Sequence, residues 1–188
     1  MLIIYRLLIN LTFILSPIII IFRLFKKKED LNRFIEKIGF FKKAKIKGNL
    51  IWFHGASVGE IRSIVPLLEK FEKSKNIKQI LITSNTLSSS KIIKRLKLRK
   101  IVHQFFPIDN NYIINRFINH WQPTKVFFID SEIWPNIINT LNKKKIPIVL
   151  LNGRITEKTF NKWMNVHNFA KNIFRKFDLC LSSNNKSK

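Results

Sequence analysis

The sequence predicts an α/β fold: a Rossmann-like parallel sheet with helices on both faces, preceded by an N-terminal membrane-anchor helix. Six short apolar runs, at 49–53, 78–82, 101–105, 125–129, 147–151 and 178–181, alternate with segments of helical periodicity. The runs are apolar almost without interruption, as in Leu50-Ile51-Trp52-Phe53 and Val126-Phe127-Phe128-Ile129, which suits strands covered on both faces. Strands that alternate with helices pair in parallel through right-handed crossovers. The third observation is Leu2 to Phe22, nearly all apolar, with a basic cluster directly after it.

Residues 1–25 form the predicted anchor. The twenty-one residues from Leu2 to Phe22 would extend about 31 Å as a helix, close to the thickness of a hydrocarbon core. Arg6 lies near one end, where its side chain can snorkel. Ten Lys or Arg against three Asp or Glu lie between Arg23 and Lys47, and this bias places residues 26–188 on the cytoplasmic side. A cleavable signal peptide fits poorly, because no small-x-small site accompanies the basic cluster. Pro17 leaves open a bent helix lying in the membrane interface.

Residues 26–48 read as a basic amphipathic linker. Its helix is expected over 29–41, with Leu31, Phe34, Ile35 and Ile38 at helical spacing and Gly39 as the stop. The domain follows at 49–188, with helices expected at 60–73, 88–97, 110–121, 133–143 and 156–175. At 188 residues the chain holds one such domain plus the anchor, not two domains. The polar tail from Ser182 to Lys188 reads as frayed.

The 35 Lys and Arg against 11 Asp and Glu, formally +24, call for an anionic partner. Nucleic acid is disfavoured: there is no basic helix with base-reading polar residues, no zinc spacing and no aromatic RNA-binding signature. An anionic membrane explains the charge equally well. The single Cys180 excludes an internal disulfide and is expected as a small buried core residue. His54, His103, His120 and His167 share no metal-ligand spacing, so no metal site is expected. Trp52, Trp121, Trp134 and Trp163 are expected in the core.

In parallel sheets ligands bind beyond the carboxyl ends of the strands, and the polar and small residues of this sequence gather there. His54-Gly55-Ala56-Ser57-Val58-Gly59-Glu60 follows the first strand, with small residues that let a ligand approach the backbone and Glu60 on the first helical turn. Pro107 and Asp109 follow the third strand, Asp130 to Asn136 the fourth, Asn152 to Thr156 the fifth. Thr83 to Ser90, after the second, either bind phosphate or sugar hydroxyls or cap the next helix.

His54 to Glu60 resembles the signature of the 3-deoxy-D-manno-octulosonic acid (Kdo) transferases. Three further motifs in the same order resemble that family: Phe106-Pro107-Ile108-Asp109, Asp130-Ser131-Glu132-Ile133-Trp134-Pro135-Asn136 and Asn152-Gly153-Arg154-Ile155-Thr156. The resemblance implies the N-terminal, acceptor-binding half of a GT-B glycosyltransferase at the bacterial inner membrane. It implies CMP-Kdo as donor, a lipid A precursor as acceptor, inversion at the anomeric carbon, and no cofactor. Glu60 would be the general base and Asp130, where the family carries Glu, the transition-state stabiliser. Ser57, Gly59, Glu132 and Arg154 would contact the acceptor. The family's C-terminal donor domain has no counterpart in these residues. The expectation is therefore an acceptor half completed by a separate donor-domain chain, or a non-catalytic remnant, with nucleic-acid binding a remote third reading.

Overall fold

The computed structural model describes residues 1–26 and 29–183. Lys27 and Lys28 of the basic cluster, and Asn184 to Lys188 of the polar tail, lie outside the described residues. All six expected strands form: β1 (Asn49–His54), β2 (Ile77–Ser84), β3 (Ile101–Phe105), β4 (Lys125–Ile129), β5 (Ile148–Gly153) and β6 (Leu179–Ser182). They make one parallel sheet in the order β3-β2-β1-β4-β5-β6. The winding direction reverses between β1 and β4, which opens a crevice at their carboxyl ends. Ser182, assigned to the frayed tail from sequence, pairs with Gly153.

Because side chains alternate along a strand, neighbouring residues enter two different cores. Leu50, Trp52, Val126, Phe128, Ile148 and Leu150 pack on one side with α5 (Asn111–Trp121), α6 (Pro135–Lys143) and Ile173 of α8 (His167–Phe174). Ile51, Phe53, Ile80, Ile82, Phe127 and Ile129 pack on the other with Ile61 of α2 (Val58–Ser63), Leu68 of α3 (Val65–Lys73) and Ile93 of α4 (Leu87–Arg95). Two helices expected as single rods are each broken. The one expected at 60–73 breaks at Ile64 before Pro66, which has no N–H to donate. The one expected at 156–175 becomes α7 (Glu157–Met164) and α8, and the turn between them packs Trp163 edge-on against Phe174, with ring centroids 5.6 Å apart.

The amphipathic helix expected at 29–41 is corrected to a single 3-10 turn, Phe34–Ile38, closed by Gly39 at φ 92°. Its polarity is also inverted, since Leu31 is exposed while Glu29 and Glu36 are buried. Their carboxylates are matched inside: Lys37 Nζ lies 2.7 Å and Arg23 Nε 2.5 Å from Glu29. Arg33 grips Glu36 through two nitrogens. Two further core expectations need correction. Trp134 and Trp163 are only half-buried, and Cys180 is exposed, because β6 is the edge strand and its outer face is uncovered.

The N-terminal helix α1 (Leu2–Phe25) forms over the expected length, with Pro17 inside it. It reaches the domain through Asp109, whose carboxylate accepts from the Tyr5 hydroxyl (2.6 Å) and from the backbone N–H groups of Asn136 and Ile137 (2.9 Å each). Burial raises the Asp109 pKa to about 6, against the opposing pull of those donors and of Arg6. Between roughly pH 4 and 6 the folded protein thus holds a proton that the unfolded chain has released. The associated stability is full below the unfolded value of 3.8 and is lost as pH rises through about 6; a shift of this size is worth up to roughly 3 kcal/mol. In urea denaturation, the stability of wild type minus that of Asp109→Asn should therefore fall between pH 4 and 7. A flat or rising difference would contradict it.

Candidate active site

Strand β1 ends in a turn that only a small residue fits. A Cβ on Gly55 would stand 3.1 Å from Ile129 Cδ1, 3.1 Å from Ile61 Cδ1 and 3.2 Å from Glu60 Cβ, so the stem of Glu60 and the residue before Asp130 meet over the Gly55 backbone. Ser57 caps α2 and Glu60 reciprocates. The Glu60 N–H donates to Ser57 Oγ (3.3 Å), while the Glu60 carboxylate accepts from the Ala56 N–H and the Ser57 hydroxyl, both at 2.7 Å. This variant of the capping box, in which Glu60 takes the N–H of Ala56 in place of that of the cap residue, fixes the carboxylate at the start of the helix and leaves each oxygen a second lone pair. Gly59 is open: a Cβ there would meet only Ser57 Oγ, at 3.9 Å.

Asp130 directly follows β4 and Asn152 is the last residue but one of the neighbouring β5, and both take left-handed backbone angles, φ 60° and 53°. Strain of this kind in non-glycine residues concentrates at functional sites. Asn152 Nδ2 donates to Ser63 Oγ (3.4 Å), whose hydroxyl donates to the Glu60 carbonyl (2.7 Å). The Ser131 hydroxyl donates to the Arg154 carbonyl. Glu60, Asp130, Asn152 and Arg154 therefore stand on one rim, from loops far apart in sequence.

Asp130 and Arg154 also line a recess of about 290 Å³ together with Ser131, Thr159, Trp163 and Cys180. Partial burial raises the Asp130 pKa and the nearby Glu132 charge adds to this, while the Arg154 guanidinium works against both. Glu60 is not among the residues of this recess. Sequence reasoning missed Thr159 and Trp163, although a signal existed. They follow the capping Thr156 by three and seven residues, which turns both toward one side of α7.

Glu132 departs from its expected place on the rim. Its Oε2 lies 3.1 Å from His54 Nε2 and 2.8 Å from Trp134 Nε1. Burial alone would raise its pKa, but the His54 hydrogen bond and charge, with the Trp134 hydrogen bond, outweigh it and lower it. His54 continues inward, with Nδ1 3.0 Å from Thr83 Oγ1, which in turn accepts from Trp52 Nε1 at 2.9 Å. Nδ1 also lies 3.2 Å from the Thr83 carbonyl, and the Thr83 hydroxyl donates to the Phe53 carbonyl at 3.4 Å. Glu132 thus ties the β4 loop to the core. The Thr83 to Ser90 stretch is absorbed likewise, since Thr86 caps α4 by accepting from the Ser89 N–H. Among the described residues, no group of three His, Cys, Asp or Glu is placed to hold a metal ion.

The family profile described as 3-Deoxy-D-manno-octulosonic-acid transferase (kdotransferase) matches residues 32–188. The chain belongs to the Kdo transferase family. A 3-deoxy-D-manno-octulosonic acid transferase of Rickettsia bellii is 39% identical over 176 residues, covering 92% of this chain and 42% of that protein. The one of Haemophilus influenzae is 27% identical over 157 residues, 83% of this chain and 37% of its own length. This member of the family thus spans less than half the length of these relatives. Among solved structures, a UDP-N-acetylglucosamine 2-epimerase superposes with a TM-score of 0.52 at 9% identity, over 75% of this chain and 43% of that one. The enzyme from Neisseria meningitidis bound to UDP-GlcNAc gives 0.50 at 12% identity, over 74% and 41%. These likenesses concern the fold, which is of the GT-B type.

Proposed function

We propose that this Kdo transferase chain is the acceptor-binding half of an inverting glycosyltransferase that moves Kdo from CMP-Kdo to a lipid A precursor in lipopolysaccharide biosynthesis. The observation that carries the reading is the gathering of Glu60, Asp130 and Arg154 at the carboxyl ends of β1, β4 and β5. In this reading the Glu60 carboxylate takes the proton of the attacking acceptor hydroxyl. Asp130 faces the charge that develops at the anomeric centre, and CMP leaves. Arg154 offers a planar cation to an acceptor phosphate, while Ser57 and the open Gly59 supply the floor over which the acceptor sugar passes. The excess of basic residues suits the cytoplasmic face of an anionic inner membrane.

Binding is the direct test. Lipid A precursor titrated into the 188-residue chain should bind, and Arg154→Ala should weaken that binding about tenfold, as expected for the loss of one charge-assisted contact. CMP-Kdo turnover by residues 1–188 alone should be negligible. Rapid turnover would overturn the acceptor-half assignment, and an Arg154→Ala variant that binds as wild type would remove the phosphate contact.

A further inference from the structure

Helix α1 touches the domain at several points along one side, while most of its surface is uncovered. At its N-terminal end the Tyr5 hydroxyl donates to Asp109 (2.6 Å), Arg6 Nε donates to Asn136 Oδ1 (3.2 Å), and Asn110 Nδ2 donates to Asn10 Oδ1 (2.8 Å). Ser16 and Ile20 are buried further along, and Arg23 binds Glu29 at the other end. Tyr5, Ser16, Ile20 and Arg23 fall on one stripe of the helix. The first and last of these contacts are about 27 Å apart along the axis, at 1.5 Å per residue. Because the chain enters the domain from the C-terminal end of the helix, a helix that crossed the bilayer could not also bring Tyr5 to Asp109. Asp109 and Asn136 would have to stand on the far side of a hydrocarbon core about 30 Å thick, dragging buried polar groups into lipid.

The opposite stripe is apolar and uncovered: Ile3, Leu7, Ile14, Ile18 and Phe25 are between 63% and 82% exposed. Leu31 extends it, sharing a shallow apolar site with Ile21, Leu24 and Phe25. Cations flank this face. Arg6, Lys143 and Lys144 line a polar recess beside the N-terminal half of the helix, and Lys26 lies over the Phe22 ring at the other end.

We propose that α1 does not cross the membrane but lies in the plane of its interface, docked on the domain by one stripe and presenting the other to an anionic lipid bilayer. Charge complementarity selects the occupant, since a chain at +24 with a cation-flanked apolar face is drawn to negative headgroups. The latch consists of Asp109 and Asn136, two motif residues that sequence analysis had placed among the rim segments. Through them the membrane-bound helix and the sheet's carboxyl edge form one unit, which holds the candidate site at headgroup height.

The test uses the full chain in a Cys180→Ser background, with a nitroxide carried in turn by Ile3→Cys, Leu11→Cys and Ile18→Cys on the exposed face, away from the docked stripe. Bound to vesicles of phosphatidylcholine and phosphatidylglycerol, all three labels should report one shallow depth, about 5–10 Å. Binding should fall at least tenfold on pure phosphatidylcholine. A depth maximum at Leu11 near the bilayer centre, labels shielded from lipid by a second copy, or binding indifferent to lipid charge would overturn the proposal. No transfer step enters the readout, so it stands or falls separately from the transferase reading.

Discussion

Glu60→Gln is expected to lower Kdo transfer by about 10²–10⁴-fold, in any preparation that transfers Kdo, without unfolding the domain. Glutamine keeps an oxygen for the Ala56 N–H and an amide that can donate to Ser57 Oγ, so the capping box survives in its Gln form. What disappears, in the proposed role of Glu60 as base, is the ability to take up a proton from the acceptor. If Glu60 only complemented the helix terminus, the signature of the substitution would be a stability loss of about 0.3–1 kcal/mol with turnover barely altered. Steady-state rates and thermal melts on the same preparation separate these outcomes. Retention of most activity would move the base elsewhere on the rim. Asp130 would then come first, because the Glu132 carboxylate is engaged by His54 and Trp134. Asp130→Glu is the companion variant: it restores the longer acid of the family and should leave the rate unchanged or raise it.

The sheet was legible because its inner strands are buried on both faces, which leaves long apolar runs such as Val126 to Ile129 that have one structural reading. The rim was legible because each motif follows a strand directly. Two kinds of feature were not. Glu132 and Asp109 sit in rim motifs, yet their carboxylates turn inward, to His54 and to the first turn of α6, and those partners lie 78 and 27 residues away. Composition cannot show which way a carboxylate turns when its donors come from other loops. The length and apolar character of α1 are those of a span, and only the stripe through Tyr5, Ser16 and Ile20 shows that one side of it docks on the domain. Trp163 was placed in the core because a tryptophan belongs there more often than on a sugar-binding platform. Its half-buried position at the recess depends on the break after α7, for which the sequence carries no proline or glycine signal.

Glu36→Ala is the substitution expected to cost the most stability, about 3–5 kcal/mol, because it breaks a buried ion pair that reads in sequence as a solvated one. Arg33 and Glu36 stand three residues apart in a basic segment, where an exposed pair would contribute only about 0.3–0.5 kcal/mol. In the fold their side chains are 15% and 8% exposed. Glu36 Oε2 also accepts the Phe105 N–H at 2.8 Å, and Arg33 reaches the carbonyl and ring of His103 at 3.1 and 3.0 Å. Burial and the Arg33 charge hold the His103 pKa down to about 3, so the imidazole stays neutral and Glu36 is the group that balances the guanidinium. Its removal leaves a buried cation and an unpaired backbone donor at the end of β3. For a chain of this size the loss corresponds to a fall of roughly 6–20 °C in Tm. Glu36→Gln, which keeps an acceptor for Phe105 but not the charge, should fall between the two. Replacing the pair together, Arg33→Met with Glu36→Leu, should recover much of the loss, since apolar side chains of similar size remove both charges at once. A Glu36→Ala protein that melts within two or three degrees of wild type would show the segment before β1 to be dispensable for the fold, and the ion pair to be no more than a surface contact.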